Sequence, residues 1–519
     1  MVGFAAAAVV FFSVALPGVA WDEAGAISAA TKYVEWMRLG ARGAFTDGAI
    51  TDYWAYGAEH PPFARLLAAA GIGTLYDTLG LLQSARVGAA VSFGFLCALI
   101  FYLVSKHRGI PAGVFSAAGF ALMPRILGHA MLAELDMAMA MTWFLTVVLF
   151  VKAMESRKLW FLPGIGFGLA LLTKINAPFV LVPLTIWGLA FHGKRALVPL
   201  AATVVIGLAI FYAGWPWLWH HPVERLGGYA FDKVGRAPVE VFYFSRTYGE
   251  EPAPWHYPLV MTFVTMPPGI LAACIYGGIR SWATVKRSPI VPLIFLNLAA
   301  IYGVASLPGV PKYDGVRLFL PAFPFLACLA GMGIAEWWEY LCGRFRKRSE
   351  IARGVMAAFF ALELLSLVVV YPFGLSYYSP LVGGPKGAAA LGFETTYWGE
   401  VVDGDVVDFL NQNCRAGSRV AIFPYGWQAL ELFPYIFDVR DDIEMVPEWQ
   451  KEYDYLVIVN RQGKLSGDPK RVLETMRPVF RKGRAGVTLC AIYDIPSDYL
   501  PATAARDTWE RPYLSGPRD

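Results

Sequence analysis

The sequence predicts a polytopic α-helical membrane protein with a small soluble α/β domain at its C-terminal end. Three observations lead there. Of 519 residues, 56% are hydrophobic and only 16% are charged, where a soluble domain carries about 25% charged residues. Mean hydropathy is +0.47. Apolar runs approaching the roughly 20 residues that a helix needs to cross a bilayer recur from Val2 to Gly374, and from Ser376 onward they stop. The chain therefore divides into a membrane domain over 1–374 and a soluble domain over 375–519.

The first run, Val2–Ala20, lacks the basic flank of a signal peptide and precedes candidate chemistry, so it reads as a retained helix. A mixed stretch follows to about Gln83, with a first outer loop expected over about 21–83. Tyr33, Trp36, Met37 and Leu39 suit a helix lying on the membrane surface. Further spans are expected at Arg86–Val104, Ile110–His129, Leu135–Met154, Leu159–Leu172, Ala177–Phe191, Ala196–Ala213, Tyr257–Gly278, Pro289–Leu307, Val316–Trp338 and Gly354–Gly374. With the first, that makes about eleven helices.

Basic residues set the orientation, because short cytoplasmic loops collect Lys and Arg. Lys106/Arg108, Lys152/Arg157/Lys158, Lys194/Arg195, Arg280/Lys286/Arg287 and the Arg344–Arg353 cluster mark every second connection. The N-terminus is then cytoplasmic and everything beyond Gly374 extracytoplasmic, in a multi-pass protein of a bacterial plasma membrane. A net charge of +4 is too small to suggest nucleic acid as a partner.

In the soluble part, Arg419–Tyr425, Tyr453–Asn460 and Thr488–Ile495 read as strands, and Val401–Asn413 and Lys470–Lys482 as helices. The six cysteines are scattered without metal-binding spacing, and Cys414 and Cys490 are left open as a pair. Trp215-Pro-Trp-Leu-Trp219-His220-His221 reads as an interfacial aromatic belt.

Five features converge on the outer side: Asp22-Glu23, Glu59-His60-Pro-Pro, Glu134 with Asp136, Lys174, and Lys312-Tyr313 with Arg317. Ionisable residues at membrane depth are expensive and face a cavity or one another. Asp22 stands where the first apolar run ends, so it can stay ionised beside a lipid-linked substrate. A carboxylate there suits a general base, and Lys or Arg nearby suits a phosphate. Each has a structural alternative: helix capping for the acids, snorkelling for the bases.

The order of these motifs resembles family 39 of the membrane glycosyltransferases, in the C superfamily, which includes protein O-mannosyltransferases and lipid A aminoarabinose transferases. The residues are Trp21-Asp22-Glu23, Glu59-His60-Pro61-Pro62-Phe63, Leu135-Asp136-Met137, Gly168 to Lys174, and Arg317 to Pro324. The resemblance spans about residues 1–340. It implies the C-superfamily architecture and transfer of a sugar from a polyprenyl-phosphate donor to a lipid, glycan or protein acceptor on the outer face. It makes Asp22 the catalytic carboxylate and Asp136 a second acid. Lys174, Arg317 and Tyr313 would hold the donor phosphate, with Glu23, Glu59, His60 and Glu134 in support. Glu59 with His256 is the candidate pair for a divalent metal. His60 replaces the lysine of the aminoarabinose branch. A transporter or flippase of lipid-linked sugars is the rival reading, but no internal repeat is present and the charges lie at helix ends rather than at the midplane.

Overall fold

The computed structural model describes residues 1–234, 239–249, 251–285, 288–450, 452–497 and 499. Lys286 and Arg287 of the fourth basic cluster lie outside these residues, as does everything from residue 500. Among the described residues, five helical stretches are long and apolar enough to cross a membrane: Phe63–Arg108, Leu135–Glu155, Ala177–Gly214, Arg317–Arg344 and Ser349–Val370. A sixth is formed if Ile110–Ala121 and Pro124–Ala130, bent by 72°, count as one span.

Several of the expected spans are interrupted, and Pro and Gly mark the breaks. The Val2–Ala20 run is helical only over Val2–Phe11, and its end reaches Pro17-Gly18, with Gly18 tight against the Val402 carbonyl. The Tyr257–Gly278 run splits into Tyr257–Thr265 and Pro268–Ala283 at Pro267-Pro268, since proline removes a helix donor and clashes with the preceding turn. The 72° bend coincides with extended Met123 before Pro124, the conformation a following proline imposes. The Phe63–Arg108 stretch is not one rod. At Gly80 the backbone takes φ 72°, ψ 176°, a region essentially reserved for glycine. The two arms then lie against each other, Gly71 on the Ser84 carbonyl and Gly88 on Leu67.

Lipid tails give little hydrophobic drive between helices, so close backbone approach through small residues matters. Gly94 backs onto Gly3 and Ala7, Gly331 onto Ser116, and Gly277 onto Leu329 and Gly333. Larger rings fill the centre, where Phe93 stacks on Phe120 at 5.7 Å and Phe144 lies 5.1 Å from Phe325. Basic connections gather at one end of the bundle. Lys106 pairs with Glu155, Arg108 donates to Thr284 at 3.1 Å, and Arg280 pairs with Glu336 at 2.8 Å. The candidate site residues occupy helix ends formed by other connections.

Strands β1, Val241–Tyr243, and β2, Arg246–Tyr248, form an antiparallel hairpin, and the C-terminal part holds a five-stranded mixed sheet. Here β3 is Arg419–Phe423, β4 Glu444–Val446, β5 Tyr455–Val459, β6 Phe480–Arg484 and β7 Val487–Asp494, in the order β4-β3-β5-β7-β6. β5 is buried along its whole length, as a central strand covered on both faces requires. The helix expected over Lys470–Lys482 is corrected: it spans Gly467–Thr475, and residues 480–484 pair with β7 instead. Pro478 accounts for the stop, since it cannot continue a helix, and Ala485-Gly486, both at positive φ, make the two-residue hairpin turn. A helix at Trp427–Ile436 was not anticipated.

One sheet face, with Val420, Ile422 and Val457, packs on Val19, Ala24 and Ile27 of the N-terminal part. Residues 392–403, which lead into the sheet, are all buried. They hydrogen-bond the start of the chain: Gly18 N–H donates to the Glu400 carbonyl and Trp21 N–H to the Trp398 carbonyl, both at 2.8 Å. The six cysteines are all free, Cys414 and Cys490 among them.

Candidate functional site

Four segments bring charge to one place. The Trp21–Arg38 helix sets Asp22 in its first turn. The Leu135–Glu155 helix sets Asp136 in its first turn, with Glu134 at its N-cap; helix N-termini favour carboxylates through their exposed N–H groups. Lys174 follows the Leu162–Leu171 helix. Arg317 opens the 3₁₀ turn Arg317–Ala322 that leads into Phe323–Arg344. A left-handed turn at Asp314-Gly315 precedes it, with φ 53° and 66°.

Arg317 is the centre, only 8% exposed. Its Nη1 lies 2.5 Å from Asp22 and donates to Asp314 at 3.1 Å, while Nε donates to Asp136 at 2.9 Å. Nη2 lies 3.9 Å from Glu134, beyond hydrogen-bond reach. The guanidinium also lies over the Trp398 ring, 4.5 Å from its centroid. The other oxygen of Asp136 accepts from Lys174 Nζ at 2.6 Å. Asp136 is 1% exposed and Asp22 35%, so Asp22 is the carboxylate at the rim. Five of the sequence-derived residues therefore converge: Asp22, Glu134, Asp136, Lys174 and Arg317. Tyr313 is buried beside them, its ring centroid 5.8 Å from the Arg317 guanidinium.

The remaining candidates lie elsewhere. Glu23, read as a supporting acid of the site, is a structural clasp. It is fully buried against Arg86, with contacts of 2.7 and 2.6 Å, and accepts from the backbone N–H groups of Ala20 and Ala133. Arg86 spends its other donors on the carbonyls of Val14, Pro17 and Gly18. Adjacent residues on a helix point about 100° apart, so Asp22 and Glu23 serve different neighbours. Glu59 pairs with Arg65, which also donates to the His60 carbonyl. His256 Nδ1 shares a hydrogen bond with Tyr243 Oη at 2.9 Å. Glu59 and His256 thus have other partners, and among the described residues no three His, Cys, Asp or Glu gather as a metal-binding group. So engaged, Glu59 and His256 do not form the expected metal-binding pair.

Asp314, Trp398 and Arg461 were missed by sequence reasoning. Asp314 accepts from Trp398 Nε1 and from Arg461 Nη2, each at 2.7 Å. Nothing in the sequence marks Trp398 and Arg461, which come from the soluble part. Arg86 did carry a signal, since it is a charge inside an apolar run.

Residues 59–220 match the family model described as dolichyl-phosphate-mannose-protein mannosyltransferase. Among solved structures, ArnT from Cupriavidus metallidurans bound to undecaprenyl phosphate aligns with a TM-score of 0.53 at 15% identity, covering 94% of this chain and 96% of that one. Its apo state gives the same score and coverage at 16% identity. The chain has the fold of ArnT. A fainter likeness, TM-score 0.45 at 12% identity, covers 96% of this chain and 75% of the archaeal oligosaccharyltransferase AglB from Archaeoglobus fulgidus in complex with an inhibitory peptide and a dolichol-phosphate. No curated protein sequence matches. Within this fold, the family match takes in Glu134, Asp136 and Lys174, whereas Asp22 and Arg317 lie outside it.

Proposed function

We propose that the protein transfers a sugar from a polyprenyl-phosphate donor to an acceptor hydroxyl on the extracytoplasmic face of a bacterial plasma membrane, by a single inverting displacement. One observation carries this reading: a rim carboxylate, Asp22, lies 2.5 Å from a buried arginine that is itself fixed by Asp136. The family description and the undecaprenyl phosphate bound by ArnT support the donor class.

The chemistry follows from that pair. Asp22 accepts the proton of the acceptor hydroxyl as its oxygen attacks the anomeric carbon. The bond to the lipid phosphate breaks, and the charge that grows on the leaving oxygen meets Arg317 Nη2 and Lys174 Nζ. Arg317 cannot be lost from the site when phosphate arrives, because Nε stays on Asp136. Phosphate drawing on the guanidinium loosens its hold on Asp22 and frees that carboxylate for the acceptor hydroxyl. The base is thereby readied only when the donor is bound.

Asp22→Asn tests the assignment in proteoliposomes supplied with a panel of labelled undecaprenyl-phosphate sugars. Transfer should fall about 10²–10⁴-fold, the usual contribution of a general base, while binding of undecaprenyl phosphate persists. If Asp22 only caps its helix, Asn serves almost as well, and near-normal transfer would overturn the proposal and direct attention to Glu134.

A further inference from the structure

We propose that Trp398 and Arg461, from the soluble part, are positioning residues of the donor-phosphate site and act on it through Asp314. This rests on the reading of Arg317 as a phosphate ligand.

Asp314 is the joint. One oxygen, Oδ2, takes the Trp398 indole N–H at 2.7 Å and Arg317 Nη1 at 3.1 Å. The other, Oδ1, takes Arg461 Nη2 at 2.7 Å. Arg461 is buried and held in turn by the Tyr397 carbonyl at 3.1 Å, with Glu394 3.9 Å away. Trp398 braces Arg317 twice, by the N–H on Asp314 and by its ring face beneath the guanidinium; a cation over an indole face is held by the ring quadrupole. Trp398 is itself pinned where its carbonyl accepts from Trp21 N–H, one residue before Asp22. The same short segment thus fixes both halves of the Asp22–Arg317 pair. Without Arg461, Asp314 would carry a full charge against Arg317 alone and would compete with a phosphate for it. Arg461 shares that charge, so Asp314 draws less on the Arg317 guanidinium and leaves more of it for phosphate.

The probe is undecaprenyl phosphate, with undecaprenol as the control that lacks the phosphate, bound to the full-length protein in detergent. Trp398→Phe keeps a smaller aromatic face and removes the N–H; Arg461→Met removes the shared charge. Each should weaken undecaprenyl phosphate binding about tenfold and leave undecaprenol binding unchanged. Because both act through Asp314, Asp314→Asn combined with Arg461→Met should lose no more than the worse single variant, where independent sites would multiply. Thermal unfolding identifies a variant that fails to fold, and Arg461→Gln then replaces Arg461→Met in the cycle. Multiplying losses, equal losses for both lipids, or unchanged binding by Trp398→Phe each overturn the proposal. Arg317→Ala is run in parallel. If it leaves undecaprenyl phosphate binding intact, the phosphate reading falls and this inference falls with it; if it weakens binding while the Trp398 and Arg461 variants do not, only the positioning role is lost.

Discussion

At the scale of the residue, burial separates two neighbouring carboxylates into different tasks. Glu23 and Arg86 form a dry, fully hydrogen-bonded pair, and such pairs matter most when half of one is removed. Arg86→Met should destabilise the protein by about 3–5 kcal/mol, because Glu23 is then a buried charge without its counter-ion. Adding Glu23→Leu to that variant should recover part of the loss in thermal unfolding. If both variants unfold like the parent, the pair is not a clasp. Lys174 belongs with the site: Lys174→Ala should weaken undecaprenyl phosphate binding by about 1.5–3 kcal/mol, the range for hydrogen bonds to charged groups. Asp22, Asp136 and Lys174 were legible because each is a charge beside an apolar run. Trp398 and Arg461 were not, because a tryptophan and an arginine in a soluble segment look the same whether they face water or an active site.

Among elements, the apolar stretches were legible and their interruptions less so. Hydropathy averages over a window and is blind to a single left-handed residue. Gly80 shows the effect, since its sequence neighbours are ordinary helix formers, yet the chain reverses there. A Cβ at Gly80 would touch nothing within 4 Å, so only backbone strain opposes a side chain. Gly80→Ala should therefore cost about 1–3 kcal/mol, the penalty for a non-glycine residue in that region, without displacing packed neighbours. A thermal midpoint unchanged by this substitution would show that the reversal lies elsewhere. The error over Lys470–Lys482 has a similar origin. Its first half is helical, and Pro478 divides it from a strand that only the long-range pairing with β7 specifies.

For the whole molecule, two measurements address how the parts are joined and oriented. Burial pushes the carboxyls of Glu394 and Glu400 up to about 7 from 4.5, with Arg461 opposing the rise at Glu394. A folded pKa above the unfolded one stabilises through the bound proton. That contribution is complete below about pH 4.5 and is lost as pH rises through about 7. The thermal midpoint should therefore fall across that window, and Glu400→Gln should flatten the slope; a slope that the substitution leaves unaltered would rule Glu400 out. Orientation can be read from Cys342, the one exposed cysteine of the six, which lies at the basic end of the Phe323–Arg344 helix. If basic loops are cytoplasmic, an impermeant maleimide should label inside-out vesicles and spare right-side-out ones. The reverse pattern would place the Asp22 site on the cytoplasmic side.

The insertion of residues 392–403 beneath the start of the chain also has a consequence for biosynthesis. Asp22, Asp136, Lys174 and Arg317 are all made before residue 320, but Asp314 meets Trp398 and Arg461 only after another 140 or so residues have left the ribosome. A nascent chain halted between these points holds the acids and bases of the site without the brace that fixes them. On the positioning role proposed for Trp398 and Arg461, competence is deferred to the end of synthesis, and a half-made chain in the membrane would have little means of turning over the proposed lipid donor around it.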